Sequence, residues 1–241
     1  MEFVHCDVTK YEDIYGLFVK ARELHRRIDH AVSCAGIFEQ GNWFDPDLTL
    51  DTVKREGNSK VLDVNVKGTM DFARIAAVFL RDSGEGAKRK GKGQDAEDKS
   101  LVLLSSVNAF RESPGLFLYQ MSKHAIQGLL RSSRKPLWEL DGVRVNAVNP
   151  GVTDTPMAHH IAVKFQAAGL YSQSAESVAK IIMGLILDEK MVGKSIYIEG
   201  GDGWEFEDSF IEQQAAWLGE EPTRRMRVNT EAVQRGALLE K

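Results

Sequence analysis

The 241-residue sequence lacks most of the features that mark secreted, membrane-spanning or disulfide-stabilised proteins. It contains two cysteines, Cys6 and Cys34, and both lie in or at the end of apolar runs typical of buried strands. We therefore expect two small buried thiols and not a disulfide. Residues 1–9 lack the charged start and apolar stretch of a secretory signal, and no apolar run approaches the roughly 20 residues of a membrane span. These absences predict a cytoplasmic protein with no membrane partner.

The charge distribution also lacks a basic surplus, since the formal net charge is −4. Nucleic-acid partners require Lys and Arg gathered on one surface, and none is expected here. The basic cluster at 88–92 is followed at once by acidic residues, and the interval around it is rich in glycine and charge without hydrophobic periodicity. We predict a mobile, exposed loop over residues 83–99, not a phosphate-binding patch.

Apolar segments of strand length alternate with longer segments of helical periodicity. The predicted strands are 3–6, 30–34, 101–104, 144–148 and 195–198, and the predicted helices are 11–26, 50–81, 119–140 and 174–187. This alternation is typical of an α/β fold with a doubly wound parallel sheet that is covered on both faces. We assign one domain to residues 1–204 and a charged, helix-prone C-terminal tail to residues 205–241. Active sites in such folds lie beyond the carboxyl ends of the strands.

One pair of residues near a predicted strand end has the spacing of an acid–base device. Tyr119 and Lys123 are four residues apart on a predicted helix and share one face. A nearby cation favours the phenolate, so we expect Lys123 to lower the pKa of Tyr119 and make it a general acid or base. Ser106, at the end of the preceding strand, would hold the substrate oxygen. A Tyr-x-x-x-Lys pair alone is usually an ordinary surface pair, but its place after this strand favours catalysis.

Further motifs follow in a fixed order, and together they resemble the short-chain dehydrogenase/reductase family. They are Asp7-Val8, Ser33-Cys34-Ala35-Gly36, Asn65-Val66-Lys67-Gly68, Ser106, Tyr119 with Lys123, Pro150-Gly151-Val152 with Thr155, and the segment 193–201. The resemblance covers residues 3 to about 201. It implies a Rossmann-like sheet and an NAD(P)-dependent oxidoreductase that interconverts an alcohol and a ketone. Ser33-Cys34 departs from the Asn-Asn that is usual in the family.

The resemblance implies a role for each matched residue. Tyr119 would pass the proton, Ser106 would orient the substrate, and Lys123 would lower the pKa of Tyr119 and hydrogen-bond the nicotinamide ribose. Asn65 would complete the catalytic set by holding a water that connects Lys123 to solvent. Residues implied to bind NAD or NADP are Asp7, Val8, Ala35, Gly36, Tyr119, Lys123, Pro150, Gly151, Val152 and Thr155. No metal site is expected, because His159 and His160 would point to different faces of a helix without a carboxylate partner.

The glycine-rich turn that binds the dinucleotide pyrophosphate in this family, Thr-Gly-x-x-x-Gly-x-Gly, does not occur in the sequence. By the family's order of elements, we expect a sheet that lacks the family's first two strands and this phosphate-binding loop. Segment 3–6 would then either pair beside strand 30–34 or stay unpaired. The missing turn puts dinucleotide binding by this chain in doubt, and the choice between NAD and NADP stays open.

Three functions therefore remain open. The first is an NAD(P)-dependent oxidoreductase. The second is a cofactor-independent isomerase, dehydratase or cyclase that uses Ser106, Tyr119 and Lys123 for proton transfer alone. The third is a catalytically silent binding scaffold, against which the retained catalytic residues argue, because folding does not require those residue types at those places.

The resemblance also bears on the substrate and the assembly. Met157, Phe165 and Tyr171 fall in the family's substrate lid and favour a small hydrophobic substrate. The tail resembles fungal members related to 15-hydroxyprostaglandin dehydrogenase, many of which act in secondary-metabolite pathways. Family members usually pair through the helices that correspond to 50–81 and 119–140, which implies a homodimer or homotetramer.

Overall fold

The computed structural model describes residues 1–82 and 97–234. Contacts between Cα atoms divide the chain into two compact units, Met1–Trp204 and Glu205–Lys241. In the second unit, the described helices are α7 (Glu207–Glu212), α8 (Gln214–Leu218) and α9 (Glu220–Gln234). Residues 83–96 of the predicted mobile loop lie outside the described residues. The end of that prediction is wrong, because Lys99 is buried and begins a strand.

Strands and helices alternate along the first unit, as the sequence predicts. The helices are α1 (Tyr11–His25), α2 (Lys60–Leu62), α3 (Thr69–Arg81), α4 (Phe117–Asp141), α5 (His159–Ala167) and α6 (Ala175–Leu187). The strands are β1 (His30–Ser33), β2 (Lys99–Leu104), β3 (Val143–Pro150), β4 (Thr153–Asp154), β5 (Gln173–Ser174), β6 (Ser195–Glu199) and β7 (Asp202–Glu205). Short 3-10 helices span Thr52–Lys54 and Val107–Ala109, and a π-helical stretch, Asp63–Gly68, joins α2 to α3.

The main sheet has the order β1-β2-β3-β6-β7, and β1, β2, β3 and β6 pair in parallel. Alternate residues of its strands face two apolar clusters. Leu101, Leu103 and Val145 pack with residues of α1, α3 and α4, whereas Val102 and Val148 pack with residues of α6. Burial on both faces explains the continuous apolar strands, since each side chain removed from water stabilises the fold by roughly 1.5–3 kcal/mol. The predicted α/β fold with a Rossmann-like parallel sheet is confirmed.

The predicted strand at 3–6 is wrong, because those residues form no ladder in the structure. Phe3 is 88% exposed, and Cys6 packs only partly against the core. Segment 3–6 was expected either to pair beside strand 30–34 or to stay unpaired, and in the structure it is unpaired. Within the described residues β1 pairs with β2 alone.

The predicted helix over 50–81 is too long at its start. Helical structure continues without a break only from Lys60, through the π-helical stretch, to Arg81. The side chains of Leu50 and Val53 are 89% and 59% exposed, so the core does not bury that part of the apolar pattern. Among the described residues, no helix is long and apolar enough to cross a membrane.

Candidate active site

The carboxyl ends of β1, β2 and β3 open into one cavity of about 440 Å³. This is the position at which ligands bind in parallel α/β sheets. The cavity is lined by Cys34, Gly36, Phe38, Leu104, Ser105, Ser106, Val107, Asn108, Arg111, Ser113, Leu116, Tyr119, Lys123, Pro150, Gly151, Val152, Thr153, Thr155, Met157, Ala158, Ile161, Phe165, Ala175, Val178, Ala179 and Ile182. The set is mostly apolar, and its two cationic side chains are those of Arg111 and Lys123.

Ser106 and Tyr119 both line this cavity, and the Ser106 side chain acts on the phenol of Tyr119. Burial raises the pKa of Tyr119, and the nearby Ser106 hydroxyl opposes that rise. Ser106 Oγ accepts the N–H of Asn108 at 3.2 Å and donates to the carbonyl oxygen of Pro150 at 3.4 Å. Ser106 is thus held between β3 and the 3-10 helix that follows β2.

Lys123 lies one helical turn beyond Tyr119, and its side chain is buried. Its ammonium donates to the carbonyl oxygen of Leu104 at 3.2 Å and lies 5.4 Å from the centroid of the Tyr119 ring. Burial lowers the pKa of Lys123 to about 8. The expectation that Lys123 lowers the pKa of Tyr119 is wrong for this arrangement, because burial dominates and raises that pKa.

Asn65 lies in the π-helical stretch, is 1% exposed and is not part of the cavity lining. Its Oδ1 accepts the N–H of Ile37 at 2.8 Å, and its Nδ2 donates to the carbonyl oxygen of Ile37 at 3.0 Å. Nδ2 also donates to Ser122 Oγ on α4 at 3.0 Å. π-Helical turns are frequent at functional sites, and this one aims the Asn65 amide at the loop after β1. Its implied role in holding a water stays a prediction.

Glu39 is a site residue that the sequence analysis missed. Its Oε2 accepts the N–H groups of Leu118 and Tyr119, at 2.5 and 3.1 Å, in the first turn of α4. The neighbouring Phe38 packs its ring on that of Tyr119, with 4.5 Å between centroids. The contact joins residues 80 positions apart, so no local pattern in the sequence could have signalled it.

The residues implied to bind the dinucleotide divide into two groups. Gly36, Tyr119, Lys123, Pro150, Gly151, Val152 and Thr155 line the cavity, whereas Asp7, Val8 and Ala35 are not among its lining residues. Asp7 accepts hydrogen bonds from the backbone and hydroxyl of Thr9, which lower the pKa of its carboxyl group. The carbonyl oxygen of Val8 lies so close to Gly68 that a Cβ there would be 2.9 Å away.

The space around Gly36 bears on whether the cavity could hold a nicotinamide ribose. A Cβ at Gly36 would lie 3.4 Å from Asn65 Oδ1 and 3.6 Å from Lys123 Nζ. A side chain would therefore fill the space beside the ammonium, and glycine leaves that space to a ligand. A dinucleotide whose ribose bonded Lys123 would need this open space beside the ammonium.

The expectation of two buried thiols is wrong for Cys34, which is exposed in the cavity wall, and Cys6 is only half-buried. Both cysteines are free thiols. Desolvation raises the pKa of the Cys34 thiol, and the positive charge of Lys123 opposes that rise.

The segment predicted as a substrate lid contributes an apolar wall. Met157 and Phe165 line the cavity, but Tyr171 does not and is mostly exposed. His159 pairs with Asp154 at 2.8 Å. The described residues contain no group of three or more His, Cys, Asp or Glu side chains able to hold a metal ion.

Comparison with known proteins assigns the family. A family model described as enoyl-(acyl carrier protein) reductase matches residues 1–201. The chain is 27% identical over 236 residues to short-chain dehydrogenase/reductase prx4 of Penicillium rubens. The aligned region covers 90% of this chain and 67% of prx4. It is 30% identical over 211 residues to short-chain dehydrogenase/reductase ascJ of Acremonium egyptiacum, with 87% and 67% covered. The chain thus spans about two thirds of the length of these relatives.

A solved structure described as ElxO with NADP bound shares the fold, with a TM-score of 0.62 and 20% identity over 83% of this chain and 77% of that one. Fold, motif order and matched relatives agree. The chain belongs to the short-chain dehydrogenase/reductase family, which is a family of enzymes.

Proposed function

We propose that the protein is an NAD(P)-dependent oxidoreductase that interconverts an alcohol and a ketone on a small hydrophobic substrate. The observation that carries the proposal is that Ser106, Tyr119 and Lys123 line one mostly apolar cavity together. Family membership and the NADP bound to a structural relative support the cofactor class. A secondary-metabolite substrate, the class implied by the resemblance of the tail to fungal members of the family, is part of this proposal.

In this proposal each hydroxyl has a separate task at the substrate oxygen. NAD(P)H, when bound, would supply the hydride. Tyr119 donates its phenolic proton to the developing alkoxide in the reductive direction and takes it back in the oxidative one. Ser106 hydrogen-bonds the same oxygen and stabilises the charge on it. Because the Ser106 hydroxyl also opposes the rise in the pKa of Tyr119, it helps the phenol to give up its proton.

Lys123 and the cavity walls complete the device. With a pKa of about 8, Lys123 is mostly cationic at neutral pH, and it would hydrogen-bond the nicotinamide ribose beside Gly36. The apolar side chains of Met157, Ile161 and Phe165 would bind the body of the substrate and exclude water from the reacting oxygen.

The test combines cofactor binding with turnover. Tryptophan fluorescence is followed while NADH or NADPH is added, and reduction of hydrophobic ketones is measured for the wild type and for Tyr119→Phe. We expect Tyr119→Phe to bind the cofactor as the wild type does but to lose about 10²-fold or more in kcat. Absence of binding at millimolar cofactor would contradict the redox proposal.

A second candidate is proton transfer without a cofactor, as in an isomerase, dehydratase or cyclase. It is favoured by the position of Asp7, Val8 and Ala35 outside the cavity lining, while Ser106 and Tyr119 stay together. Incubation of ketones in deuterium oxide without NAD(P) separates the two. Exchange at the carbon next to the carbonyl, lost in Tyr119→Phe, would support the second candidate.

A further inference from the structure

Glu39 binds the first turn of the helix that carries Tyr119. Helix N-terminal N–H groups have no acceptor within the helix, and a negative charge there is favourable. Glu39 Oε2 accepts two of them, from Leu118 and from Tyr119 itself. The residue in the N-cap position, Leu116, provides no side-chain acceptor. Glu39 therefore supplies the cap of α4 from a different part of the chain.

The loop that carries Glu39 is itself fixed. The backbone of Ile37 is bound on both its N–H and its carbonyl side by Asn65. Asn65 also donates to Ser122 on α4, and Phe38 packs on the ring of Tyr119. Three consecutive residues thus connect Asn65 to the backbone and to the ring of Tyr119.

If stabilising α4 were its only role, Glu39 would be an energetically unfavourable cap. Glu39 Oε1 is buried and has no hydrogen-bond partner among the described residues, and burying an unpaired carboxylate oxygen is unfavourable. A Ser or Asp in the N-cap position would cap α4 without that cost. What Glu39 adds is a fixed position of the Tyr119 backbone relative to the loop after β1, which lines the cavity through Cys34, Gly36 and Phe38.

We infer that Glu39 is a positioning residue for Tyr119. The inference rests on the proposed function, in which the Tyr119 phenol must meet the substrate oxygen beside Ser106. Glu39 is not among the residues that line the cavity, so it acts through Tyr119 and touches no reacting atom. Small displacements of a catalytic group reduce turnover strongly, whereas substrate affinity depends on the apolar walls. The expected signature is therefore a change in kcat without a change in KM.

The test compares Glu39→Ala and Glu39→Gln with a matched cap elsewhere. Glu205 accepts the N–H groups of Glu207 and Asp208 at 2.8 and 3.2 Å in the first turn of α7, so Glu205→Ala removes the same kind of contact from another helix. We expect Glu39→Ala to lower kcat about tenfold to a hundredfold with KM within about twofold. Glu39→Gln keeps an acceptor oxygen and should restore most of kcat, and Glu205→Ala should keep wild-type kcat.

A second readout needs no turnover. The protein is labelled with 3-fluorotyrosine, and the fluorine resonance of Tyr119 among the five tyrosines is assigned by its loss in Tyr119→Phe. Glu39→Ala should shift or broaden this resonance, and Glu205→Ala should leave it unchanged. If the wild type reduces no ketone, the proposed function fails while the fluorine spectra still test Glu39. A wild-type Tyr119 resonance in Glu39→Ala, or an equal loss of kcat in Glu205→Ala, would overturn the inference.

Discussion

The ammonium of Lys123 lies over the ring of Tyr119, 5.4 Å from its centroid, and donates to the carbonyl oxygen of Leu104. Lys123 is a buried cation whose own pKa falls to about 8 because burial disfavours its charge. That cost should be visible in the stability of the protein.

Lys123→Met should stabilise the protein at pH 7. The pKa of Lys123 falls from 10.5 to about 8 on folding, which corresponds to about 3 kcal/mol, less about 1 kcal/mol for the lost hydrogen bond. Between about pH 8 and pH 10.5 the unfolded state binds more protons than the folded state. The free energy of unfolding of the wild type therefore rises with pH over this range, and that of the variant lacks this rise. Denaturant unfolding at several pH values measures the difference. Two stability curves that stay parallel from pH 7 to 10.5 would refute this account.

Ser106→Ala should move the pH dependence of alcohol oxidation to higher pH. The Ser106 hydroxyl opposes the raised pKa of Tyr119, so its removal raises that pKa further and delays formation of the phenolate that accepts the proton. The rate of oxidation is measured against pH for both proteins. The control is Ser132→Ala, which removes an exposed hydroxyl that donates to the Leu129 carbonyl on α4, the helix of Tyr119. This variant should keep the wild-type profile. A Ser106→Ala profile that superimposes on the wild type would count against the role of Ser106.

Gly151→Ala should displace Glu199. The added Cβ would lie 2.4 Å from Glu199 Oε2, which accepts the hydroxyl of Tyr197 at 2.7 Å. Losing that bond should cost about 1 kcal/mol. It should also lower the pKa of Tyr197 from about 12, because Glu199 adds to the effect of burial there. Absorbance titration of the tyrosines and denaturant unfolding measure the two effects.

Two further variants are the controls for Gly151→Ala: one adds the same methyl group elsewhere, and the other removes the clashing side chain. In Gly128→Ala the Cβ meets nothing within 4 Å on α4, so helix propensity should stabilise the protein by up to about 1 kcal/mol. Adding Glu199→Ala to Gly151→Ala should remove the clash, which a double-mutant cycle detects. Additive effects of the two substitutions would show that Glu199 is not what Gly151 makes room for.

Asn65→Ala should destabilise the protein by about 3 kcal/mol, because it removes the partner of the part-buried N–H and carbonyl of Ile37. Asn42→Ala, which removes an exposed acceptor for the N–H of Phe44, should cost less than about 1 kcal/mol. Thermal or denaturant unfolding compares them. Equal losses for the two variants would mean that the Asn65 contacts do not hold the loop after β1.

Local patterns in the sequence were enough to predict the alternation of strands and helices. Period and apolar content place α1, β2, β3, α4 and α6 within a few residues of the observed bounds. They failed where no partner covers an apolar residue. Segment 3–6 has strand-like residues but no ladder, and Leu50 continues a helical period although its side chain is 89% exposed. Burial is decided by the tertiary fold, and a local pattern does not contain it.

The candidate site divides in the same way. Ser106, Tyr119 and Lys123 could be predicted because they lie at a strand end and on one helix face, and the structure brings them to one cavity. Glu39 could not, because its contact with α4 depends on how the loop after β1 folds over the helix. The direction of the Tyr119 pKa was predicted wrongly for a related reason, since spacing places the cation nearby but does not reveal how strongly the phenol is buried.

Transfer of deuterium tests the central claim most directly. NADPH or NADH deuterated at the transferred position of its nicotinamide is incubated with hydrophobic ketones and with wild-type protein or Tyr119→Phe. We predict an alcohol with deuterium on the carbinol carbon for the wild type, and at least about 10²-fold less of it for Tyr119→Phe. An alcohol that carries no deuterium, or equal yields from the two proteins, would contradict hydride transfer assisted by Tyr119.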